Sequence, residues 1–395
     1  MITFAGLTFK NPYVVASSPL TARVKWLRAA ADAGAAAVST KLTFLKQPFY
    51  GKLRMYNDPT VGSIVCHDRR LDLEEGVRLV EEGKRYTGDL IYFCNITHDA
   101  EDLDGWVRIA KALEGAGADI IEANFICPNL SLTARSLGED APTGGAVPGQ
   151  NPEQARRIVE ALKRAVRIPV VCKLTPNVTD LVAVGLACEA GGADGLCVAG
   201  AQLCLPPMDI YHPERIYPLL QGASMGSLGG PAARLMGYAQ VAQLASRCRI
   251  PIIGGGGIQT WEHAVQFMMW GATLITVCTQ IMWYGWETIG ETLRGMERFM
   301  AEAGYARYEE MVGRSLKHFC AAERLRVVAG APVVDAARCT GCGACLRPGH
   351  CDAITVEDVA QVDPTACLGC GICVALCPTG ALTMSEGDMT GGKGA

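Results

Sequence analysis

The chain has 395 residues, 49% of them hydrophobic and 19% charged, with 36 Lys and Arg against 40 Asp and Glu. A chain of this length buries about three quarters of the surface its unfolded form exposes, so a large core is available. A net charge of −4 without a basic stripe gives nucleic acid or an anionic membrane nothing to hold, and a small-molecule site is favoured.

Residues Met1 to Gly6 lack a charged start with an apolar stretch behind it, and apolar runs elsewhere are too short to cross a bilayer. Eighteen cysteines, ten in apolar segments and eight at cluster spacing, fit a reducing compartment, and a cytoplasmic location is expected. The six histidines show no metal-motif spacing.

Short runs rich in Val, Ile, Ala and Cys recur at 13–18, 36–41, 90–96, 120–125, 169–174, 195–200, 251–257 and 274–279. Segments with helical periodicity lie between them, such as Leu103 to Ala116 and Pro152 to Val166. Two units repeat a helix-end signal, Gly115-Ala116-Gly117-Ala118-Asp119 and Gly191-Gly192-Ala193-Asp194. Eight alternating units predict an α/β fold, a (β/α)8 barrel over residues 1–330, with a doubly wound open sheet as the competing architecture. In a barrel, chemistry gathers where strands end. Those ends are Ser17-Ser18, Lys41, Asn124 with Cys127, Lys173, Gly254 to Gly257, and Cys278-Thr279. The last two groups stand where many barrels hold a phosphate on backbone N–H groups, although a tight turn also explains a glycine run.

Composition changes at Asp335, where two cysteine runs begin: Cys339-x2-Cys342-x2-Cys345-x5-Cys351, then Cys367-x2-Cys370-x2-Cys373-x3-Cys377-Pro378. Residues 331–385 are expected to form a bacterial-type two-cluster ferredoxin domain, with 386–395 as a disordered tail. Three thiolates on one tight loop grip one cubane, and the last Cys of each run crosses to the other cluster. Cys339, Cys342, Cys345 and Cys377 are therefore assigned to one [4Fe–4S] cluster, and Cys367, Cys370, Cys373 and Cys351 to the second. A pair of zinc ribbons is the alternative. Arg347 to His350 lengthen the first run relative to the common spacing.

Cys172-Lys173-Leu174-Thr175-Pro176-Asn177-Val178-Thr179-Asp180, with Glu122-x-Asn124-x-x-Cys127-Pro128 before it and the cluster runs after it, resembles the FMN and iron–sulfur half of dihydropyrimidine dehydrogenase. That barrel is similar to dihydroorotate dehydrogenase. Ala16-Ser17-Ser18-Pro19, Thr40-Lys41, Gly256-Gly257-Ile258 and Cys278-Thr279 extend the resemblance over nearly the whole chain. It implies FMN at the strand ends: Ala16 and Ser17 beneath the ring, Lys41, Asn124 and Lys173 at its polar edge, and Gly229, Gly230, Gly256, Gly257, Cys278 and Thr279 around ribityl and phosphate. A buried lysine there stabilises the negative charge that a reduced flavin develops, a role expected of Lys173.

The resemblance also places a general-acid cysteine in a loop after the fourth strand, where this chain has Pro148. Proline carries no exchangeable proton, so the donor is sought among Ser131, Thr133, Ser136, Asp140 and Thr143. Lys173, Asn124, Ser131 and Thr133 are the catalytic candidates. Amides that would hold a pyrimidine thin out: Asn129 follows Cys127-Pro128, and the sixth strand ends in Ala199-Gly200-Ala201. The proline-rich segment 202–228 is expected to form a lid or pocket wall, and His67-Asp68-Arg69-Arg70 to be a solvated turn whose arginines can bind a carboxylate.

Two functions follow. One is a flavin oxidoreductase acting on a polarised carbon–carbon bond of a small cyclic substrate, pyrimidine by family default, with electrons passing through both clusters. The other is an electron-transfer subunit with no organic substrate. No Gly-x-Gly-x-x-Gly follows a strand with an acidic residue downstream. The expected electron partner is thus an NAD(P)H-oxidising flavin subunit or a ferredoxin, in an oligomer.

Overall fold

In the computed structural model, which describes residues 1–47, 51–128, 132–140, 143–328 and 330–385, eight parallel strands close into a barrel. They are Tyr13–Val15, Ala37–Ser39, Ile91–Ile96, Ile120–Phe125, Val170–Leu174, Gly195–Ala199, Ile252–Gly255 and Ala272–Val277. The eighth pairs back onto the first, Ile275 opposite Tyr13 and Val277 opposite Val15. Closure excludes the open sheet. Every residue of the fourth and fifth strands is buried, because side chains fill the barrel on one face and helices cover the other.

The repeated Ala-Asp signal has a structural meaning. Asp119 accepts the backbone N–H of Tyr92 at 2.7 Å and pairs with Lys84; Asp194 accepts that of Val170 at 2.7 Å and pairs with Lys163 at 2.6 Å. Each aspartate thus staples the start of its strand to the preceding strand and to a helix. On the opposite face the helices begin with side-chain caps. Asp72 and Glu75 form a capping box for Leu73–Tyr86, Asn151 caps Pro152–Ala165, and Asp180 caps Leu181–Ala190. A hairpin of Ile2–Phe4 and Leu7–Phe9 packs Phe4 and Phe9 against Phe93, with ring centroids 6.2 and 6.0 Å away.

A second, antiparallel sheet was not evident in the sequence. Its order is Gln202–Cys204, Gly226–Gly229, Gly62–His67, Arg54–Asp58. It therefore joins insertions that follow the second and sixth barrel strands. Within segment 202–228, Tyr217 is buried with Ile64 and Leu228 and donates its hydroxyl to Ser224 O at 3.1 Å, whereas Tyr211 is exposed.

The chain forms two compact units, Met1–Phe319 and Cys320–Ala395. The second contains two small antiparallel pairs, Pro332–Val334 with Leu382–Met384 and Ile354–Val356 with Ala360–Val362, around a core of Cys345, Ile354, Ala360, Cys373 and Leu382. The expected tail, 386–395, lies outside the described residues. Among the described residues no helix is long and apolar enough to cross a membrane.

Candidate active site and cysteine quartets

The C-terminal ends of the barrel strands and the second sheet line a cavity of about 190 Å³ that opens to solvent on one side. All eleven residues expected to hold the cofactor line it: Ala16, Ser17, Lys41, Asn124, Lys173, Gly229, Gly230, Gly256, Gly257, Cys278 and Thr279. Met55, Ser63 and Val65 of the Arg54–His67 hairpin, with Leu53 just before it, add a wall.

One side of the cavity is bare backbone. Gly230 has φ 98°, Gly256 98° and Gly257 78°, a region that side-chain-bearing residues rarely enter. A Cβ on Gly230 would stand 2.7 Å from Gly62 Cα, and one on Gly257 would collide with Gly230 O. Residues 230, 256 and 257 thus form a close-packed cradle that leaves amides accessible to an anionic group. Thr279 adds a hydroxyl to the same wall.

The other side is a buried polar network. Glu122 inside the barrel accepts hydrogen bonds from Ser39 and Asn95, and its Oε2 lies 3.5 Å from Lys173 Nζ. Burial pulls the Lys173 pKa down, but Glu122, with the Cys197 and Cys127 thiols, more than offsets it and holds the ammonium above its ordinary value. Asn124 Nδ2 donates to Asn95 Oδ1 at 2.9 Å and to Cys127 Sγ at 3.4 Å, while its Oδ1 accepts the backbone N–H of Ile126 and Cys127 at 3.2 and 3.0 Å. Asn124 therefore fixes the turn that presents the Cys127 thiol to the cavity.

Cys127 lines the cavity, whereas Thr133, Ser136, Asp140 and Thr143 do not. Pro148 sits buried in a 3₁₀ turn, Pro148–Gln150, behind the fourth strand and does not line the cavity. A Cβ on the adjacent Gly149 would collide with Phe125 O. Ser131 and Asn129 lie outside the described residues. Thr133 is buried in the helix Leu132–Ser136, away from the cavity lining; Ser136 donates to Thr133 O, Thr143 donates to Asp99, and Asp140 is exposed. Cys127 was within the quoted motif, and its place one turn beyond a strand end was the signal that could have singled it out.

The expected solvated turn is also corrected. Asp68 and Arg70 are buried and line the cavity, and only Arg69 is exposed, paired with Glu75. Asp68 Oδ2 pairs with Lys41 and lies 3.1 Å from Arg70 Nη1. Burial first and the Arg70 charge second lower the Lys41 pKa to about 8 against the pull of Asp68.

In the smaller unit, Cys339, Cys342, Cys345 and Cys377 ring one void, and Cys351, Cys367, Cys370 and Cys373 ring another. Burial raises the Cys345 thiol, and Cys339, Cys342 and Cys377 add to the rise; burial raises Cys373, with Cys351, Cys370 and Cys367 adding in the same way. The quartets are those of the crossover pattern. Backbone N–H groups of Ala360, Gly369 and Ala381 donate to the sulfurs of Cys339, Cys367 and Cys377 at 3.3, 3.4 and 3.2 Å. The Thr379 hydroxyl, aided by backbone N–H groups, lowers Cys377 to about 7, which favours the thiolate that binds metal. Among the described residues no three His, Cys, Asp or Glu side chains converge on a single point as they would around one bare ion.

Barrel, cavity and quartets together define an oxidoreductase of the flavin-barrel class with an appended iron–sulfur unit. Residues 1–300 match the family model for dihydroorotate dehydrogenase, and 360–383 match that for a 4Fe-4S binding domain. The chain belongs to the dihydroorotate dehydrogenase family, whose members are flavin-dependent oxidoreductases. It is 30% identical over 362 residues to the NAD-dependent dihydropyrimidine dehydrogenase subunit PreA of Escherichia coli, covering 87% of this chain and 84% of that protein. The dihydroorotate dehydrogenase B (NAD(+)) catalytic subunit of Pyrococcus furiosus is 31% identical over 319 residues, covering 80% of this chain and 98% of that protein. Its counterpart in Methanothermobacter thermautotrophicus is 30% identical over 316 residues, covering 79% and 96%.

Proposed function

We propose that this protein uses FMN in the barrel cavity to reduce or oxidise a polarised carbon–carbon bond of a small molecule, with electrons passing one at a time through two [4Fe–4S] clusters in the cysteine quartets. What carries this proposal is the convergence in one cavity of a bare-backbone cradle, a buried lysine backed by a carboxylate, and a positioned thiol. The glycines suit the phosphate, and Lys173 suits the polar edge of the ring. FMN supplies hydride exchange at that site. The chain supplies the rest: Lys173 and Lys41 stabilise developing negative charge, Asn124 orients the turn, and Cys127 Sγ gives its proton to, or takes one from, the carbon beside the one that exchanges hydride.

Electrons are exchanged with a flavin subunit that oxidises NAD(P)H or with a ferredoxin, and the relatives' description as subunits supports an oligomeric assembly. Eighteen cysteines without a disulfide suit a reducing compartment such as the cytoplasm. Anaerobic purification followed by flavin release and iron assay tests the reading. One FMN and about eight irons per chain are expected; a chain that binds no flavin under any loading condition overturns it.

A further inference from the structure

The bare-backbone cradle is held from behind by a histidine. His263 stands in the first turn of the helix Trp261–Met269, whose N-cap, Thr260, makes no side-chain cap hydrogen bond. Its Nδ1 lies 3.3 Å from the backbone N of Gln259 and 3.3 Å from Arg234 Nη1. A backbone N–H and a guanidinium can only donate, so Nδ1 accepts from both and the neutral ring carries its proton on Nε2. This reach back to a backbone N–H does for the helix start what the glutamate of a capping box does elsewhere.

Both partners belong to the cradle. Gln259 follows Gly256, Gly257 and Ile258, which line the cavity, and its carbonyl accepts the Gln280 side chain at 2.6 Å from the helix Thr279–Tyr284. Arg234 opens the helix Arg234–Ala245 just after the Gly230 turn, and a Cβ on Gly257 would stand 3.0 Å from its backbone N. One lone pair thus ties the two halves of the cradle, 230–234 and 256–259, to each other. A proton on it would point a third N–H at two donors, leave the Gln259 N–H without its acceptor, and set a second cation beside Arg234 at the positive end of a helix. Burial first and the Arg234 charge second already hold the His263 pKa below its ordinary value, against Glu262 on its own helix, which Thr260 and Arg298 engage in turn.

We infer that His263 is a positioning residue for the flavin phosphate: its unprotonated Nδ1 locks the cradle in the shape that takes the anion, and affinity for FMN falls when that nitrogen takes a proton. The inference rests on the FMN reading above and deepens it, since it makes flavin retention depend on pH through a residue that does not itself line the cavity. Attraction between an imidazolium and the phosphate works the other way. His263 acts through Gln259 and Arg234 rather than by facing the anion, so the loss of shape outweighs the gain of charge.

The test uses the full-length protein, with Kd values for FMN and for riboflavin, which lacks the phosphate, measured by flavin fluorescence between about pH 7.5 and 5. On acidification FMN binding should weaken at least about fivefold more than riboflavin binding, the lower bound for one donor left without its acceptor. Protonation of the phosphate itself adds to that fall. The deciding comparison is therefore His263→Asn, whose amide oxygen can stand where Nδ1 does and does not titrate. That variant should match the unmodified protein near pH 7.5 and lose only the phosphate's own share on acidification. His263→Leu should be weaker by about 5- to 150-fold throughout. By linkage, FMN should also lower the pH at which the His263 ring titrates in 15N spectra of histidine-labelled protein, and the neutral ring should be the Nε2–H tautomer. Equal pH dependence in the unmodified protein and His263→Asn overturns the inference. So does full affinity in His263→Leu, an Nδ1–H tautomer, or a His263 titration that FMN raises or leaves in place. If neither variant folds, the 15N titration of the unmodified protein with and without FMN decides alone. A chain that takes up no FMN at any pH refutes the parent reading, whereas a flavoprotein whose affinity follows the phosphate's titration alone refutes only this one.

Discussion

Lys173 Nζ and Glu122 Oε2 stand 3.5 Å apart inside the barrel, both almost wholly buried, on adjacent strands in register through Asn124 and Lys173. Glu122 outweighs the effect of burial and holds the lysine above its ordinary pKa, while its own negative charge opposes that of the ammonium at the ring. Changes at the two positions should therefore move the flavin in opposite directions. Lys173→Ala removes a cation from the polar edge and should lower the two-electron midpoint by roughly 40 mV, equivalent to about 2 kcal/mol. Glu122→Gln should raise it while costing about 3–5 kcal/mol of stability, the usual penalty for leaving a buried charge unpaired. Spectroelectrochemistry with FMN content checked reads both, and midpoints that move together would remove Lys173 from the ring.

Cys127 should carry the proton. Cys127→Ala is expected to reduce turnover by about 10²–10⁴-fold while FMN stays bound, with Cys127→Ser falling between it and the unmodified protein. Pro148→Cys should leave turnover unchanged, because residue 148 is buried behind the fourth strand. Pre-steady-state flavin reoxidation measures each, and a gain in Pro148→Cys would return the donor to that loop.

The cysteine partition makes a separate prediction. Cys373→Ala and Cys351→Ala should each lower the iron content by about half and abolish the same electron paramagnetic resonance signal, since both thiols ring one void. Cys345→Ala should abolish the other signal. FMN content should not change in any of the three. Loss of different signals in Cys373→Ala and Cys351→Ala would break the crossover.

Lys41 gives a pH signature. Its folded pKa is held down to about 8 by burial and by Arg70, whereas an unfolded lysine titrates near ~10.4. Between those values the unfolded chain binds the extra proton, so this site's contribution to stability rises with pH from about 8 to 10.4 and is flat below. The rise amounts to on the order of 3 kcal/mol. Buried thiols slope the other way in any variant that keeps them, so the readout is the difference in unfolding free energy between the unmodified protein and Lys41→Met across that range. A flat difference would mean that Lys41 is not depressed.

The barrel was legible because its strands are buried on both faces and read as continuous apolar runs; the predicted 120–125 coincides with Ile120–Phe125. Its strand ends then marked the cavity. The second sheet was hidden for the converse reason. Arg54–Asp58 is polar and partly exposed along its whole length, and Gln202–Cys204 is three residues long, so neither carries a period-two signal. Asp68 and Arg70 were misread because a charged run in sequence normally faces water. Only the fold reveals that Asp68 sits between two cations brought together from separate segments. Cys127 was marked as a strand-end residue but not among the donor candidates, because a short motif does not say which of its residues faces the cavity.

The contact between Gly62 and Gly230 joins the hairpin that walls the substrate side to the cradle on the cofactor side. A Cβ on Gly62 would collide with Gly229 O, and one on Gly230 would meet Gly62 Cα at 2.7 Å. The two backbones are thus a single mechanical piece, and whatever orders the cradle also seats the wall. Flavin binding should then order cradle and hairpin together, so protease sensitivity at residues 54–67 should fall when FMN binds and should fall no further on adding substrate.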